Sequence, residues 1–290
     1  MPSTPDAISL CMIVKNEEHN LSRCLESVRD LAGQLILVDT GSTDGTQRIA
    51  AGYGAEFIPV DFTVTDFASA RNQALAVASN PWILTLDADE TLDQTTAPLI
   101  ERLVAREENA GYFFERRNHS PDCLRSTTDY VVRLFPNRPN YRYRGRVHET
   151  IDASILSGSG RLEQTGIRID HNFFSGREAR REKSHWYVGI LKEEIAANPH
   201  DDSRLDFLAA EYHQLGMFDE AMKIAEQIVR MRPLDPRAHL FLGIYHLQFR
   251  PDPVRARADF KQALKLRPGY AEAESFLQSL NEQEQLMPSR

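Results

Sequence analysis

The sequence predicts an α/β domain built on a parallel sheet, followed by an all-α domain of helical repeats. In roughly the first 90 residues, apolar segments alternate with helical patterns, which is the order of a parallel sheet with helices on both faces. From residue 177 onward the apolar residues recur only at helical spacing, and the pattern repeats after 33 to 35 residues. We therefore expect two domains, at 1–175 and 176–290.

The first strands and helices are bounded by their hydrophobic periodicity. Strands are predicted at 8–14, 35–38, 56–60 and 82–90, and helices at 21–31, around 49–53 and at 67–79. After a helix around 99–104, the residue pattern becomes typical of β-strands separated by turns. These strand-like segments are 111–117, 129–135, 141–147 and 166–170. We expect these segments to add antiparallel strands that complete a cleft.

The C-terminal part contains two copies of a helix pair that resembles the tetratricopeptide repeat (TPR), with a proline after each second helix. Helices at 178–197 and 271–284 are expected to flank the two copies, because a pair of repeats buries little surface by itself. Such stacked helices form binding surfaces, so the sequence also predicts a protein partner for this domain.

The strand predicted at 82–90 ends in two carboxylates. Asp87 and Asp89 are separated by one residue, so on a strand both would point to the same face, about 6 to 7 Å apart. Lys15 and Asp39 also follow predicted strands, and ligands of parallel sheets bind beyond the carboxyl ends of the strands. We expect these residues to form one site that holds a divalent cation and an anion.

Composition limits the class of protein. The net charge of −8 argues against a nucleic-acid partner, because phosphate contacts need a clustered basic surface. A local basic cluster at Arg142, Arg144 and Arg146 fits a single phosphorylated ligand better than a polymer.

The three cysteines show no pairing or zinc pattern, which fits a reducing compartment. No apolar run approaches the about 18 residues of a transmembrane segment, and the N-terminus shows no secretion signal. We therefore expect a cytoplasmic protein.

Four motifs carry a resemblance to a known family. ISLCMIVKNEE at 8–18, VDTGSTDGT at 38–46, DFASARN at 66–72 and LDADE at 86–90 occur in the order of the family 2 glycosyltransferases. The resemblance covers about residues 1–175 and implies the GT-A fold, a Rossmann-like nucleotide-sugar-binding domain.

The resemblance implies an inverting, hexosyltransferase-type enzyme that uses a nucleotide-sugar donor and Mg²⁺ or Mn²⁺. In that assignment Asp89 is the metal ligand, and Asp87 contacts the ribose or the metal through water. Asp39 would bind the nucleoside. Thr40 stands where many members have a second acid, so UDP-sugar is a default choice of donor. A plain loop-to-helix turn at 41–46 is as good an interpretation as a phosphate contact.

The same resemblance suggests roles for residues around the donor. Arg71 would engage the diphosphate, because a guanidinium can bind it bidentately. Lys15 and Glu17 border this edge, although Glu17 could serve only to stabilise a helix N-terminus.

An acceptor needs a general base on the far side of the sugar from the diphosphate. We assign Glu149, in the segment Arg146-Val147-His148-Glu149, with Asp122, Asp129 or Asp152 as replacements. His171 is a candidate third metal ligand, since family members can complete the metal shell with a late histidine. The acceptor itself is expected to be a glycan, a lipid-linked saccharide such as lipopolysaccharide core, or a peptide.

Two other functions remain as alternatives. Residues 87–91 fit the D-x-D-x-T pattern of haloacid-dehalogenase-type phosphatases, but the later lysine and acid pair of that class are not evident. The chain could also be a TPR scaffold protein whose front domain binds nucleotide without catalysing transfer.

Overall fold

A computed structural model describes residues 4–106, 109–119, 127–172, 177–249 and 251–286. The contacts between residues divide the chain into two compact units, Met1–Gly176 and Arg177–Arg290. This division falls one residue after the domain boundary expected from the sequence. Along the described ranges, no helix combines the length and the apolar character needed to cross a membrane.

The first unit is built on one sheet with the strand order β3-β2-β1-β4-β7-β6-β8-β5. The strands are β1 (Ile8–Val14), β2 (Gln34–Asp39), β3 (Glu56–Pro59), β4 (Trp82–Thr85), β5 (Glu90–Leu92), β6 (Ala110–His119), β7 (Thr127–Pro136) and β8 (Arg161–Asn172). The first four pair in parallel, as the alternation of strands and helices predicts.

The second half of the sheet departs from the prediction in two ways. Strand β7 is antiparallel to β4 and to β6, but β6 and β8 pair in parallel, where only antiparallel strands were expected. The segment 141–147 is not a strand, apart from a single bridge between Arg144 and Thr150. Its tyrosines instead pack into the core, where Tyr141 and Tyr143 are buried.

Helices cover both faces of this sheet. They are α1 (Thr4–Ala7), α2 (Leu21–Ser27), α3 (Thr46–Gly52), α4 (Phe67–Val77), α5 (Ala97–Val104), preceded by a short 3₁₀ turn at Gln94–Thr96, and α6 (Asp152–Ser157). Residues of α2, α3 and α5 share one hydrophobic cluster with alternate residues of β1, while α4 and α6 share another cluster with Cys11 and Ile36. The side chains of the strands therefore alternate between two cores, as in a sheet buried on both faces.

The second unit is entirely helical in its described part. Its helices are α7 (Arg177–Ala197), α8 (Leu205–Gln214), preceded by a 3₁₀ turn at Asp202–Arg204, α9 (Phe218–Met231), α10 (Pro236–Gln248), α11 (Pro253–Leu266) and α12 (Ala271–Leu286). Helices that follow each other in sequence pack against each other. The helix pairs α8/α9 and α10/α11 are the two predicted repeats, and α7 and α12 are the predicted flanking helices.

Gly243 shows how closely the second helix pair packs. A Cβ atom at this position would lie 2.7 Å from the ring of Phe260, which is fully buried. Glycine is therefore required here by the close approach of α11 to α10.

Candidate active site

The carboxyl ends of β1, β2 and β4 meet at one edge of the sheet. Val14 at the end of β1 is in register with Asp39 at the end of β2, and the Thr40 amide donates to the Val14 carbonyl at 3.0 Å. Lys15, which follows β1, is exposed, whereas Asp39 is buried. The strand ends that carry the predicted site residues therefore lie side by side, as expected.

The loops after β1 and β2 are joined by hydrogen bonds between side chains and backbone. Four amides of the second loop donate to side chains: Ser42 to Asp39, Thr43 to Asn16, Gly45 to Glu18, and Thr46 to Asp44. In return, the Glu17 amide donates to the Thr46 hydroxyl at 2.7 Å. Because these amides are already engaged, this geometry favours a structural turn at 41–46 over a phosphate cradle.

The Asp39 side chain helps to shape this loop. Both of its oxygens accept from the Ser42 amide at 3.1 Å, and Oδ1 also accepts from the Ser42 hydroxyl at 2.5 Å. Each carboxylate oxygen has two acceptor positions, so Asp39 keeps capacity for a further donor such as a nucleoside hydroxyl. Its nucleoside-binding role remains a prediction.

Asp87 and Asp89 do not lie on a strand, which corrects the sequence prediction. Strand β4 ends at Thr85, and the Glu90 amide donates to the Asp87 carbonyl at 2.9 Å, closing a turn before β5. This β4–β5 turn, residues 86–89, directs the two carboxylates to different neighbours, so they do not share one face. Both side chains stay about one third exposed, at 34% and 30%.

Asp87 is held from three directions. Arg71 Nη2 donates to Oδ1 and Arg133 Nη2 donates to Oδ2, each at 2.7 Å, and the Asp87 amide donates to Glu90 Oε2 at 3.0 Å. Burial by itself raises the pKa of Asp87, but the charges of Arg133 and Arg71 hold this pKa well below its usual value. Asp87 is therefore a fixed, ionised acceptor.

Arg71 connects Asp87 to the predicted base. Its Nε donates to Glu149 Oε1 at 2.6 Å, and its guanidinium lies 5.4 Å from the centre of the Tyr143 ring. Arg71 is buried, and its Nη1 atom has no hydrogen-bond partner among the described residues. The structure thus brings Arg71, Asp87 and Glu149 together, and the Nη1 atom of Arg71 is a donor enclosed by protein atoms.

Three further charged residues at this site were missed from the sequence. The fully buried Glu90 accepts from Arg133 through Oε1, and Arg116 Nη1 lies 3.5 Å from the same oxygen. Arg116 in turn donates to both oxygens of Asp129, at 2.8 and 2.7 Å. We call the alternating series Glu149, Arg71, Asp87, Arg133, Glu90, Arg116 and Asp129 the charge network.

Asp89 points to the other side of the turn, towards β8. Its Oδ2 lies 3.2 Å from His171 Nε2, while His171 Nδ1 lies 2.8 Å from the Asn118 side-chain oxygen. An amide oxygen only accepts, so the proton of a neutral His171 belongs on Nδ1. Nε2 then turns a lone pair towards the Asp89 carboxylate in the neutral ring, whereas in the imidazolium form it donates to that carboxylate.

The side chains around Asp89 can be compared with the ligands that a metal ion requires. Within the described ranges, no group of three or more His, Cys, Asp or Glu side chains is arranged to hold a metal by itself. Mg²⁺ sites in phosphate-transferring enzymes use one or two protein ligands and complete the shell with phosphate and water. Asp89 supplies one such carboxylate, whereas His171, whose imidazole is oriented by Asn118, adds a nitrogen ligand that Mg²⁺ does not prefer.

Glu17 adds negative charge to the same edge. Burial raises the pKa of Glu17, and the nearby charges of Asp89, Asp87 and Asp44 raise it further, against a hydrogen bond from Asn20. Glu17 therefore lies close enough to the β4–β5 turn to be affected by its charges, and its role at the site remains a prediction.

The segment 141–150 carries Glu149 and is fixed against α4. Asn72 exchanges two hydrogen bonds with the Tyr143 backbone, at 2.9 and 3.0 Å. Arg146 Nε donates to the Thr65 carbonyl, and Arg142 Nη1 donates to the Tyr141 carbonyl. Two arginines of the cluster thus each hold a backbone carbonyl, and the phosphorylated ligand expected for this cluster remains a prediction.

The replacement bases differ in their suitability. Asp129 is occupied by Arg116 on both oxygens, which makes it a poor base. Burial raises the pKa of Asp152 in the first turn of α6. Asp122 lies outside the described residues.

Three curated relatives share part of this sequence. The chain is 39% identical over 150 residues to a TPR repeat-containing protein of Synechococcus elongatus (52% of this chain, 36% of the relative). It is 32% identical over 161 residues to the lipopolysaccharide core biosynthesis glycosyltransferase LpsC of Rhizobium meliloti (52% and 58%). It is 26% identical over 230 residues to the SPbeta prophage-derived glycosyltransferase SunS of Bacillus subtilis (76% and 52%). The chain thus spans about a third to three fifths of the length of these relatives.

Among solved structures, the crystal structure of S. aureus TarS 1-349 in complex with UDP-GlcNAc matches with a TM-score of 0.49 and 14% identity. That match covers 96% of this chain and 91% of TarS 1-349.

The sequence profile of the family described as "Glycosyl transferase family 2" matches residues 9–166. This range contains three of the sequence motifs and all but the first residue of the fourth, together with most of the sheet, and it covers more than half of the chain. The expected fold class, a GT-A domain followed by TPR-like helices, is confirmed, and the chain belongs to glycosyl transferase family 2.

Proposed function

We propose that this protein is a metal-dependent inverting glycosyltransferase, which moves a hexose from a nucleotide-diphosphate donor to a saccharide acceptor. One observation carries this proposal. Arg71 joins the ionised Asp87 to Glu149 by hydrogen bonds of 2.7 and 2.6 Å, at the edge of the sheet where the strand ends meet. The buried guanidinium of Arg71 thus holds both Asp87, which is the acid on the donor side, and Glu149, which is the candidate base.

The donor is proposed to bind along the ends of β1, β2 and β4. Asp39 would accept from the nucleoside, and Asp87 would accept from a ribose hydroxyl with its remaining lone pairs. The exposed Lys15 would donate to the diphosphate, and Arg71, whose Nη1 atom is buried, would contribute its positive charge near it. A UDP-sugar is the first donor to test.

Asp89 and His171 would hold Mg²⁺ or Mn²⁺, with Asp87 linked through water. A cation there would neutralise the charge that develops on the departing diphosphate. The chain itself orients this site, since Asn118 fixes the His171 ring and Glu17 adds negative charge nearby.

Glu149 is proposed to take the proton from the acceptor hydroxyl. One of its oxygens accepts from Arg71, and its side chain is 14% exposed, so it is largely shielded from water but has lone pairs left for a hydroxyl. Direct displacement with a base on the opposite side from the leaving group inverts the anomeric carbon. The name of the relative LpsC suggests lipopolysaccharide core as the first acceptor to test, ahead of other glycans and peptides.

The test is a donor panel. The full chain is incubated with UDP-, GDP-, dTDP- and ADP-sugars and a lipopolysaccharide-core, glycan or peptide acceptor, with Mn²⁺ or with a chelator. Released nucleoside diphosphate is then measured. We expect release from one donor with Mn²⁺ and little release with the chelator. If no donor is turned over with any acceptor of the three classes, the proposal is wrong.

The scaffold alternative makes a different prediction. The name of the Synechococcus relative and the stacked helices α8 to α11 favour a binding role for the second unit, alongside transfer or in its place. In a pure scaffold, Asp89→Ala would leave partner binding unchanged and no donor would be consumed. A cytoplasmic location fits either function and remains a prediction.

A further inference from the structure

Arg133 stands at the centre of the charge network, yet no sequence motif of the donor site contains it. It lies on β7 and is only 5% exposed. Its Nη2 atom donates to Asp87 Oδ2 at 2.7 Å and also to Glu90 Oε1. One nitrogen thus connects a carboxylate of the proposed donor site to a carboxylate of the core.

The contacts of Arg133 leave Asp87 little freedom. Arg71 holds Oδ1, Arg133 holds Oδ2, and Glu90 accepts from the Asp87 amide. Without Arg133, the carboxylate of Asp87 would keep one fixed oxygen and could rotate about its own side-chain bonds. The turn would then present Asp87 to a donor in several orientations instead of one.

The position of Arg133 is in turn fixed by residues that lie away from the proposed donor site. Glu90, which binds it, is fully buried and lies 3.5 Å from Arg116, and Arg116 is held by both oxygens of Asp129. Asp129 is about half exposed at the start of β7, with a side-chain exposure of 46%. A continuous series of ion pairs therefore runs from the surface of the sheet to Asp87.

We propose that Arg133, anchored by Glu90, is a positioning residue that fixes Asp87 towards the donor. This inference rests on the proposed function, because it assumes that Asp87 contacts the donor. Arg133 acts only through Asp87 and touches neither the donor nor the acceptor.

Arg133→Met removes the charge but keeps most of the buried volume. Misplacement of a substrate-positioning group by about 1 Å can cost on the order of 10²-fold in rate. We expect kcat/KM for nucleoside diphosphate release to fall about 10- to 100-fold, and Arg133→Lys to restore part of it, since a single nitrogen can reach both acids. Arg117→Met, which breaks a partly exposed pair with Glu115 at 3.6 Å, is the matched control and should leave turnover unchanged.

A double-mutant cycle separates positioning from general stability. In the Asp87→Ala background, Arg133→Met should cost about threefold or less, because the group that Arg133 positions is already gone. If the fold-losses in kcat/KM of the two single variants multiply in the double variant, the inference is overturned. If Arg133→Met does not fold, the same cycle is run with Arg133→Gln, which removes the charge but keeps a donor for the buried Glu90.

A failure of the proposed function is distinguishable from a failure of this inference. A wild-type chain that consumes no donor refutes the proposed function. In that case, a crystal structure of the Arg133 variant tests whether Arg133 fixes the side chain of Asp87. Asp87 displaced or in several conformers, with Arg71 still in place, supports the inference. Asp87 unmoved overturns it.

Discussion

Replacement of Arg71 by methionine tests the central ion pairs of the first unit. Arg71 is buried and binds Asp87 and Glu149, so the substitution leaves two carboxylates without their shared cation. Breaking a buried pair costs about 3 to 5 kcal/mol. Because the Asp87 side chain is 34% exposed, water recovers part of this loss, and we expect the free energy of unfolding to fall by about 2 to 4 kcal/mol.

The measurement must report on the first unit alone, and the chain provides a probe for this. It contains two tryptophans, the buried Trp82 in β4 and Trp186 in α7, which is 46% exposed. In a Trp186→Phe background, the fluorescence of Trp82 follows the unfolding of the sheet. For a unit of this size the expected loss lowers Tm by roughly 4 to 16 °C. Arg29→Met, which breaks an exposed pair with Glu26, should shift Tm by less than about 2 °C.

The effect of Arg71→Met should also depend on pH. The pKa of Asp87 is depressed in the folded protein, so its ionisation stabilises the fold above the unfolded pKa of about 3.9. This contribution is lost as pH falls through the folded pKa. The difference between wild type and Arg71→Met should therefore be complete at neutral pH and shrink below about pH 4. A difference under about 1 kcal/mol that is constant with pH would refute the reasoning.

Three other substitutions test separate parts of the account. Glu149→Gln keeps an oxygen for Arg71 but removes the base, so kcat in a transfer assay should fall about 10²- to 10⁴-fold. Calorimetry should show unchanged donor binding. Normal turnover would mean that Glu149 is not the base and that Asp152 is the next candidate. Asp39→Ala should weaken nucleotide binding at least about tenfold by calorimetry, because the loop loses its hydrogen bonds to Ser42; unchanged affinity would contradict this. Gly243→Ala should destabilise the second unit by about 1 to 2 kcal/mol in urea unfolding, through overlap with the Phe260 ring, whereas a gain in stability would contradict the close packing.

The parallel half of the fold could be predicted because its signals are local. Each of the first strands is a short apolar run that ends in a polar or small residue, and alternation with helices fixes the pairing. The repeats of the second unit could also be predicted, because the apolar pattern recurs at a fixed spacing in the sequence. Asp39 and Asp87 could therefore be placed at one sheet edge from the sequence alone.

The charge network could not be predicted in the same way. Arg133 and Arg116 lie on β7 and β6, and their contact with Glu90 depends on the order and register of strands distant in sequence. One signal was available: a charged residue in the apolar run 131–135 must be paired if it is buried. That reasoning would have identified Arg133 but not its partner.

Two misassignments have local physical causes. The segment 141–147 alternates tyrosine and arginine like a strand, but Asn72 satisfies the Tyr143 backbone in place of a neighbouring strand. The carboxylates of Asp87 and Asp89 were expected on one face because the apolar run suggested a longer strand. The hydrogen bond from Glu90 to Asp87 turns the chain there.

The most direct test of the central claim compares the wild type with Asp89→Asn. Nucleoside diphosphate release from the preferred donor is measured across a Mn²⁺ titration, with Asp93→Asn as the control for an acid that lies beyond the turn. We predict that wild type and Asp93→Asn respond alike to Mn²⁺, and that Asp89→Asn loses at least about 100-fold of the metal-dependent rate. Equal release by Asp89→Asn at every Mn²⁺ concentration would contradict the account.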